Sequence, residues 1–229
     1  MINPRPPTDW FFDYVSPFAY LQVAIHRDLF RGWPELRLRP VVFGALLDRW
    51  GQRGPAEVAG KRRFTYDHVQ WLARHAGVPL RFPPRHPFLS LGALRLTVAA
   101  GAKLDVVLRV FDYLWAEGRE TDTAEGLAAL AVELGVDMTR AQDSETKAAL
   151  RAHGEDAVAA GVFGVPTFVV GGELFWGLDA TPMLLDFLEA PASFDTEERR
   201  RVRALPLGIE RRAAATEAPG TATVPRPAR

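Results

Sequence analysis

The sequence predicts an α/β fold whose strands are split by a large all-helical insertion. Three observations carry this. Strand-like runs occur only near the start, up to residue 43, and again from 165 to 176. The stretch between 50 and 160 carries helical periodicity almost throughout. Turn and cap chemistry punctuates both ends in the order βαβ, insertion, ββα.

The elements follow in order. Residues 1–7 form a Pro-rich lead, and Asp9–Val15 (DWFFDYV) is a short aromatic run that reads as a buried strand. Ser16-Pro17 then opens a helix, with Ser at the cap and Pro at the first helical position, where a missing N–H costs nothing. That helix is expected to run to about Phe30. Gly32-Trp33-Pro34 is a turn, and ELRLR at 35–39 alternates as a second strand leading into Pro40 to Phe43. A short helix is expected over 44–50, followed by the loop GQRGPAEVAG. Helical patterns recur at 61–76, 89–101, 103–117, 123–134 and 144–160, with Phe64, His68, Trp71 and Leu72 on one face of the first. Asp122 and Glu125 resemble a capping box. Strand pattern returns at VPTFVV (165–170), and Gly171-Gly172 joins it to ELFW as a hairpin. Pro182 opens a last helix. From 191 onward the chain is expected to be a mostly disordered tail, with a helical patch near 195–204.

Composition narrows the function classes. The 229 residues are 48% hydrophobic, with 28 Lys plus Arg against 28 Asp plus Glu, so no field for nucleic acid is expected. No cysteine is present. That removes disulfides, thiolate metal sites and thiolate catalysis by the chain's own side chains. The five histidines form no close pairs and no HExxH motif occurs, so no metal is expected. The first residues, MINPRPPTDW, lack the apolar stretch of a secretory signal, and no apolar run is long enough to span a bilayer. A cytoplasmic location with no membrane partner is therefore expected.

Four places can carry chemistry, each with a plainer alternative. Ser16 lies at a strand-to-helix turn beside free helix N–H groups, a place that favours anions; it can equally be only a cap. Pro166 follows Val165 at the start of a strand and can be cis, freeing neighbouring backbone for a ligand, or an ordinary trans residue. Asp179 can bind an ammonium group and Trp176 can wall an apolar pocket, or they are a turn residue and a core residue. Lys61, with Arg62 and Arg63, can meet a carboxylate or simply be solvated. His68 and His75 read as structural or surface residues, with His153 more open. No GxSxG elbow surrounds Ser16, and VSPF after the first strand rules out a dinucleotide fingerprint.

Four segments in order, FFDYVSPFAYL, KRRFTYDHVQWLARHAGVPLRFP, VFDYLWAEGR and GVFGVPTFVVGGELFWGLD, resemble the 2-hydroxychromene-2-carboxylate isomerase family. That family is related to kappa-class glutathione transferases and DsbA-like oxidoreductases. The resemblance spans about Asp9 to Ala190. It implies a thioredoxin-like domain built from 8–50 and 161–190, with 51–160 inserted as a helical domain and 191–229 as the tail. It implies glutathione as cofactor. On the same resemblance Ser16 is expected to face the glutathione sulfur, Pro166 to be cis, and the Val165 backbone to pair with the cysteinyl group. Trp176 and Asp179 match the family's WGxD segment, and Lys61 matches a lysine near the pocket. Gln52 stands where the family often has Asn; Leu89, His153 and Ala180 are further departures in the expected ligand region.

The implied reaction is a glutathione-dependent cis–trans isomerisation of 2-hydroxychromene-2-carboxylate or a similar aromatic 2-oxo acid, a step of aromatic-compound catabolism. On that resemblance Ser16 is the expected catalytic residue. Ser16, Val165, Pro166, Trp176 and Asp179 bind glutathione. Lys61, Phe64 and Gln52 meet the substrate, and Trp71 helps line its apolar end. The partners are then glutathione and a small aromatic carboxylate, and a homodimer is compatible with this. Two rivals remain: a kappa-type transferase or peroxidase acting on another electrophile, and a non-catalytic thioredoxin-like protein that binds an extended peptide beside Pro166.

Overall fold

The computed structural model describes residues 7–209. β1 (Thr8–Phe12) leads through a turn into α1 (Pro17–Ile25) and α2 (Arg27–Arg31), and β2 (Leu36–Pro40) follows. After α3 (Phe43–Arg49) come α4 (Ala59–His75), α5 (Leu91–Ala99), α6 (Leu104–Phe111), α7 (Ala124–Leu134) and α8 (Ser144–Ala159). The chain then forms β3 (Thr167–Val170), β4 (Glu173–Trp176) and α9 (Thr181–Glu189). The order is βαβ, helices, ββα, as the sequence predicts. A second compact unit begins at Ala190. It contains α10 (Glu197–Arg203), whose Thr196 side chain accepts from the Arg199 N–H, where the helical patch was expected. The rest of the predicted tail, 210–229, lies outside the described residues.

The sheet order is β2-β1-β3-β4. β1 runs parallel to β2 and antiparallel to β3, and β3–β4 is the hairpin turning at Gly171-Gly172. β1 is therefore interior, and both its faces are covered. Trp10 and Phe12 enter the main core, whereas Phe11 enters a smaller cluster with Val41, Leu46, Ala157, Val162 and Val165. Alternation along one strand thus feeds two cores. The main core does not stop at the sheet. Phe111, at the end of α6, packs against Trp10, Phe12, Tyr14 and Tyr20, its ring centroid 4.7 Å from that of Tyr14.

Several predicted boundaries move, each for a local reason. The first strand ends at Phe12, because Asp13 turns inward to bond backbone N–H groups instead of continuing the ladder. The predicted helix to Phe30 is broken at His26, whose backbone (φ −106°, ψ 32°) leaves the helical region. The helix expected over 103–117 ends with a π-helical turn at Asp112–Ala116. Thr123, not Asp122, caps α7 by accepting from the Gly126 N–H; Asp122 pairs with Arg85 at 3.4 Å. The third strand starts at Thr167 because Pro166 has no N–H to give the ladder.

His153 bonds Pro40 through Nδ1 at 3.2 Å, which ties α8 to the end of β2 and makes it a structural residue. Burial holds the imidazoles of His26, His86 and His153 below the ordinary value of 6.5. The unfolded chain then binds more protons than the folded one in the window below 6.5. Stability from these groups is present above that value and is lost as pH falls through the folded-state values. The melting temperature is expected to drop as pH is lowered from 7 toward 5, measured by circular dichroism. A flat profile over that range refutes this assignment.

Candidate functional site

Ser16 sits where the sheet meets α1. It caps the helix: its Oγ accepts from the Ala19 N–H at 3.2 Å, and Pro17 takes the first helical position. The same hydroxyl points to the Val165 carbonyl at 3.5 Å, a long and weak bond across 149 residues of chain. Ser16 is 6% exposed.

The turn before it is held at every peptide. Asp13 O accepts from the Ser16 N–H at 3.1 Å, Tyr14 O from Trp115 Nε1 at 2.8 Å, and Val15 O pairs with His86 Nε2 at 2.8 Å. The Asp13 carboxylate, buried below the turn, accepts from the N–H groups of Val15 and Phe43, and the buried Ser90 hydroxyl adds a favourable influence on its charged form. Burial is the largest influence on it and pushes its pKa up, against those hydrogen bonds. Trp115, His86 and Ser90 all belong to the inserted segment, so the insertion fixes the turn that carries Ser16.

The opposite wall is the Val165–Pro166 segment. Its peptide bond is cis, one of the two states the sequence left open. The Gly177 N–H donates to the Pro166 carbonyl at 2.8 Å, and Gln22 Nε2 donates to Gly177 O at 3.0 Å and to Thr181 Oγ1 at 2.9 Å. Gln22 is wholly buried and its Oε1 accepts from Trp10 Nε1, so one amide joins β1, α1 and the loop after β4. Trp176 is 53% exposed, not core. Its indole packs on Phe163 and over Gly164, where a Cβ would lie 2.5 Å from Nε1. Asp179 is exposed in the turn Leu178–Ala180, its carboxylate folded over Gly177 (φ 92°), a position that only glycine takes without strain. The structure thus brings Ser16, Val165, Pro166, Trp176 and Asp179 into one neighbourhood.

Lys61, Phe64, His68, Trp71 and His75 repeat at helical spacing along α4, on one face. Phe64 is 68% exposed and Trp71 50%, and their rings run with the imidazoles as a ladder, Trp71 stacked on His75 at 5.0 Å. His68 also meets Phe18, two residues beyond Ser16, with centroids 6.1 Å apart. That contact brings this face toward the site. Gln52 is exposed, with its backbone N–H bonded to Leu47 O just after α3; among the described residues no hydrogen bond joins its side chain to Ser16.

Sequence reasoning missed Asp13, Gln22 and His86. The first carried a signal, since a carboxylate inside an aromatic strand demands polar partners. His86 stands in the loop-like run PPRHPF and gave none. Among the described residues no group of three or more His, Cys, Asp or Glu could hold a metal ion, and no helix is long and apolar enough to cross a membrane.

Comparison with known proteins agrees with this architecture. The family model for the DSBA-like thioredoxin domain matches residues 8–189. A 2-hydroxychromene-2-carboxylate isomerase of Pseudomonas putida is 30% identical over 186 residues, covering 77% of this chain and 91% of the relative. Glutathione S-transferase kappa 1 of Caenorhabditis elegans is 23% identical over 208 residues, covering 81% and 92%. The solved structure of a 2-hydroxychromene-2-carboxylate isomerase superposes with a TM-score of 0.70 at 23% identity, over 87% of this chain and 99% of that one. The chain belongs to the DsbA-like thioredoxin-domain family and, within it, to the group of the 2-hydroxychromene-2-carboxylate isomerases.

Proposed function

We propose that the protein is a glutathione-dependent cis–trans isomerase of 2-hydroxychromene-2-carboxylate or a similar aromatic 2-oxo acid. The observation that carries this is the placement of the Ser16 hydroxyl at the N-terminus of α1, facing the Val165 carbonyl beside cis-Pro166, in a chain without cysteine. Glutathione supplies the sulfur. The backbone at Val165 pairs with its cysteinyl group, Trp176 walls its chain, and Asp179 meets its ammonium group. The Ser16 hydroxyl turns from its weak bond with Val165 O to the ligand sulfur, and the helix N-terminus favours the thiolate.

The thiolate adds to the carbon–carbon double bond conjugated with the 2-oxo group. A C–S bond forms and the displaced electron pair is held as the enolate. Rotation about the resulting single bond follows. The enolate pair then re-forms the double bond and expels the thiolate, so nothing is oxidised or reduced. Lys61 holds the substrate carboxylate, Phe64 and Trp71 line its aromatic end, and Gln52 approaches from the loop after α3.

Ultraviolet assay of hydroxychromene carboxylate with and without glutathione tests the proposal. Conversion that depends on glutathione is expected. No conversion, together with transfer of glutathione to another electrophile, would favour the kappa-type reading, which the Caenorhabditis relative supports. No calorimetric uptake of glutathione at millimolar concentration would favour a peptide-binding protein.

A further inference from the structure

We infer that His86 is a positioning residue that sets the Ser16 hydroxyl through the Val15 carbonyl, and that Tyr66 and Arg62 of α4 hold His86 in that role. The inference rests on the proposed glutathione site. Val15 O can only accept, so His86 Nε2 carries the proton in that 2.8 Å contact. In the neutral ring Nδ1 is then an acceptor, and the Tyr66 hydroxyl lies 2.7 Å from it. Tyr66 has one proton to give and two acceptors in reach, His86 Nδ1 and, at 2.9 Å, the His86 carbonyl. Because Arg62 already donates to that carbonyl, Tyr66 leaves neither acceptor unsatisfied by giving its proton to Nδ1. Its oxygen accepts from Arg62 Nε at 3.1 Å, and Arg62 also donates to the His86 carbonyl at 2.8 Å. One protonation pattern satisfies the whole chain: Arg62 to Tyr66 to His86 to Val15.

The surroundings preserve that pattern. Phe82, Phe88 and Trp115 wall the ring, and among the described residues Arg62 is the charged side chain that bonds the relay and acts on the imidazole. Burial and that guanidinium both disfavour a charged imidazole. The Val15–Ser16 peptide is consequently bonded at both ends, its carbonyl by His86 and its N–H by Asp13 O. Rotation of that peptide would swing Ser16 away from Val165. A small misplacement of a group that stabilises charge is costly. The relay also ties the helix that bears Lys61 and Phe64 to the turn that bears Ser16, so both sides of the site share one set of hydrogen bonds.

The readout is the thiol titration of bound glutathione, followed by ultraviolet thiolate absorbance on the full chain. His86→Gln keeps a donor near the Nε2 position, whereas the shorter amide of His86→Asn reaches only toward Nδ1. The Gln variant is expected to keep the parental midpoint. The Asn variant is expected to raise it by about one pH unit, a roughly tenfold loss of thiolate below the midpoint. Tyr66→Phe should shift it in the same direction by less, and decides the question alone if the Asn variant fails to melt cooperatively. A purely structural role would lower melting temperatures without moving the midpoint. Parental midpoints in His86→Asn and Tyr66→Phe overturn the inference, as does a Gln variant shifted as far as the Asn variant. A parent chain giving no thiolate signal overturns the proposed function, and this inference with it.

Discussion

Ser16→Asp is expected to abolish glutathione-dependent turnover while leaving the fold nearly as stable as the parent. Ser16 does two jobs that this substitution separates. It caps α1 through the bond to the Ala19 N–H, and its hydroxyl faces Val165 across the cleft. Asp caps a helix as well as Ser does, and its charge suits the helix N-terminus. A second negative charge beside the ligand sulfur, however, opposes ionisation of the thiol. Ser16→Ala inverts the comparison. It loses the cap, at about 1 kcal/mol of stability. It also loses one hydrogen bond to a charged acceptor, about 1.5–3 kcal/mol, which slows turnover roughly 10- to 150-fold without stopping it. Paired melting and rate measurements on the two variants therefore move in opposite orders. Equal rates in parent and Ser16→Asp would leave Ser16 as a cap only.

Phe111→Ala should give the largest loss of stability, about 3–5 kcal/mol. Its ring is fully buried and meets Trp10, Phe12, Tyr14 and Tyr20. Truncation removes the edge-to-face contact with Tyr14 and leaves a cavity between rigid rings that collapse poorly. Because Phe111 belongs to the inserted helices and its partners to β1, the turn after it and α1, the loss should be felt by both. Urea unfolding should remain a single transition, with the midpoint displaced by the same amount whether read by far-ultraviolet circular dichroism or by tryptophan fluorescence. Two separated transitions would mean that the insertion is held to the sheet by something other than this core.

Much of the architecture is legible in the chain because its signals are local. Ser16-Pro17 reads as a helix start from two adjacent residues, Gly171-Gly172 as a hairpin, and the face of α4 from its spacing. The boundaries that moved were decided by partners distant in sequence. Asp13 ends its strand because its carboxylate, once buried, needs a donor, and the Phe43 N–H, 30 residues on, supplies one. Trp176, which is consistent with a core residue by type, is half exposed because alternation along β4 puts it on the face opposite its buried neighbour Phe175.

The site divides in the same way. Composition alone determined that the chain holds no thiol of its own. Local pattern alone determined that a hydroxyl stands at a helix N-terminus, since capping involves only the next few residues. That this hydroxyl meets Val165, that Gln22 clamps Gly177, and that His86 grips the peptide before Ser16 were decided only by the tertiary structure. These bonds span 149, 155 and 71 residues, and no periodicity or propensity encodes a contact at that range. They exist because a buried carbonyl, amide or imidazole must find a partner wherever the packed chain offers one.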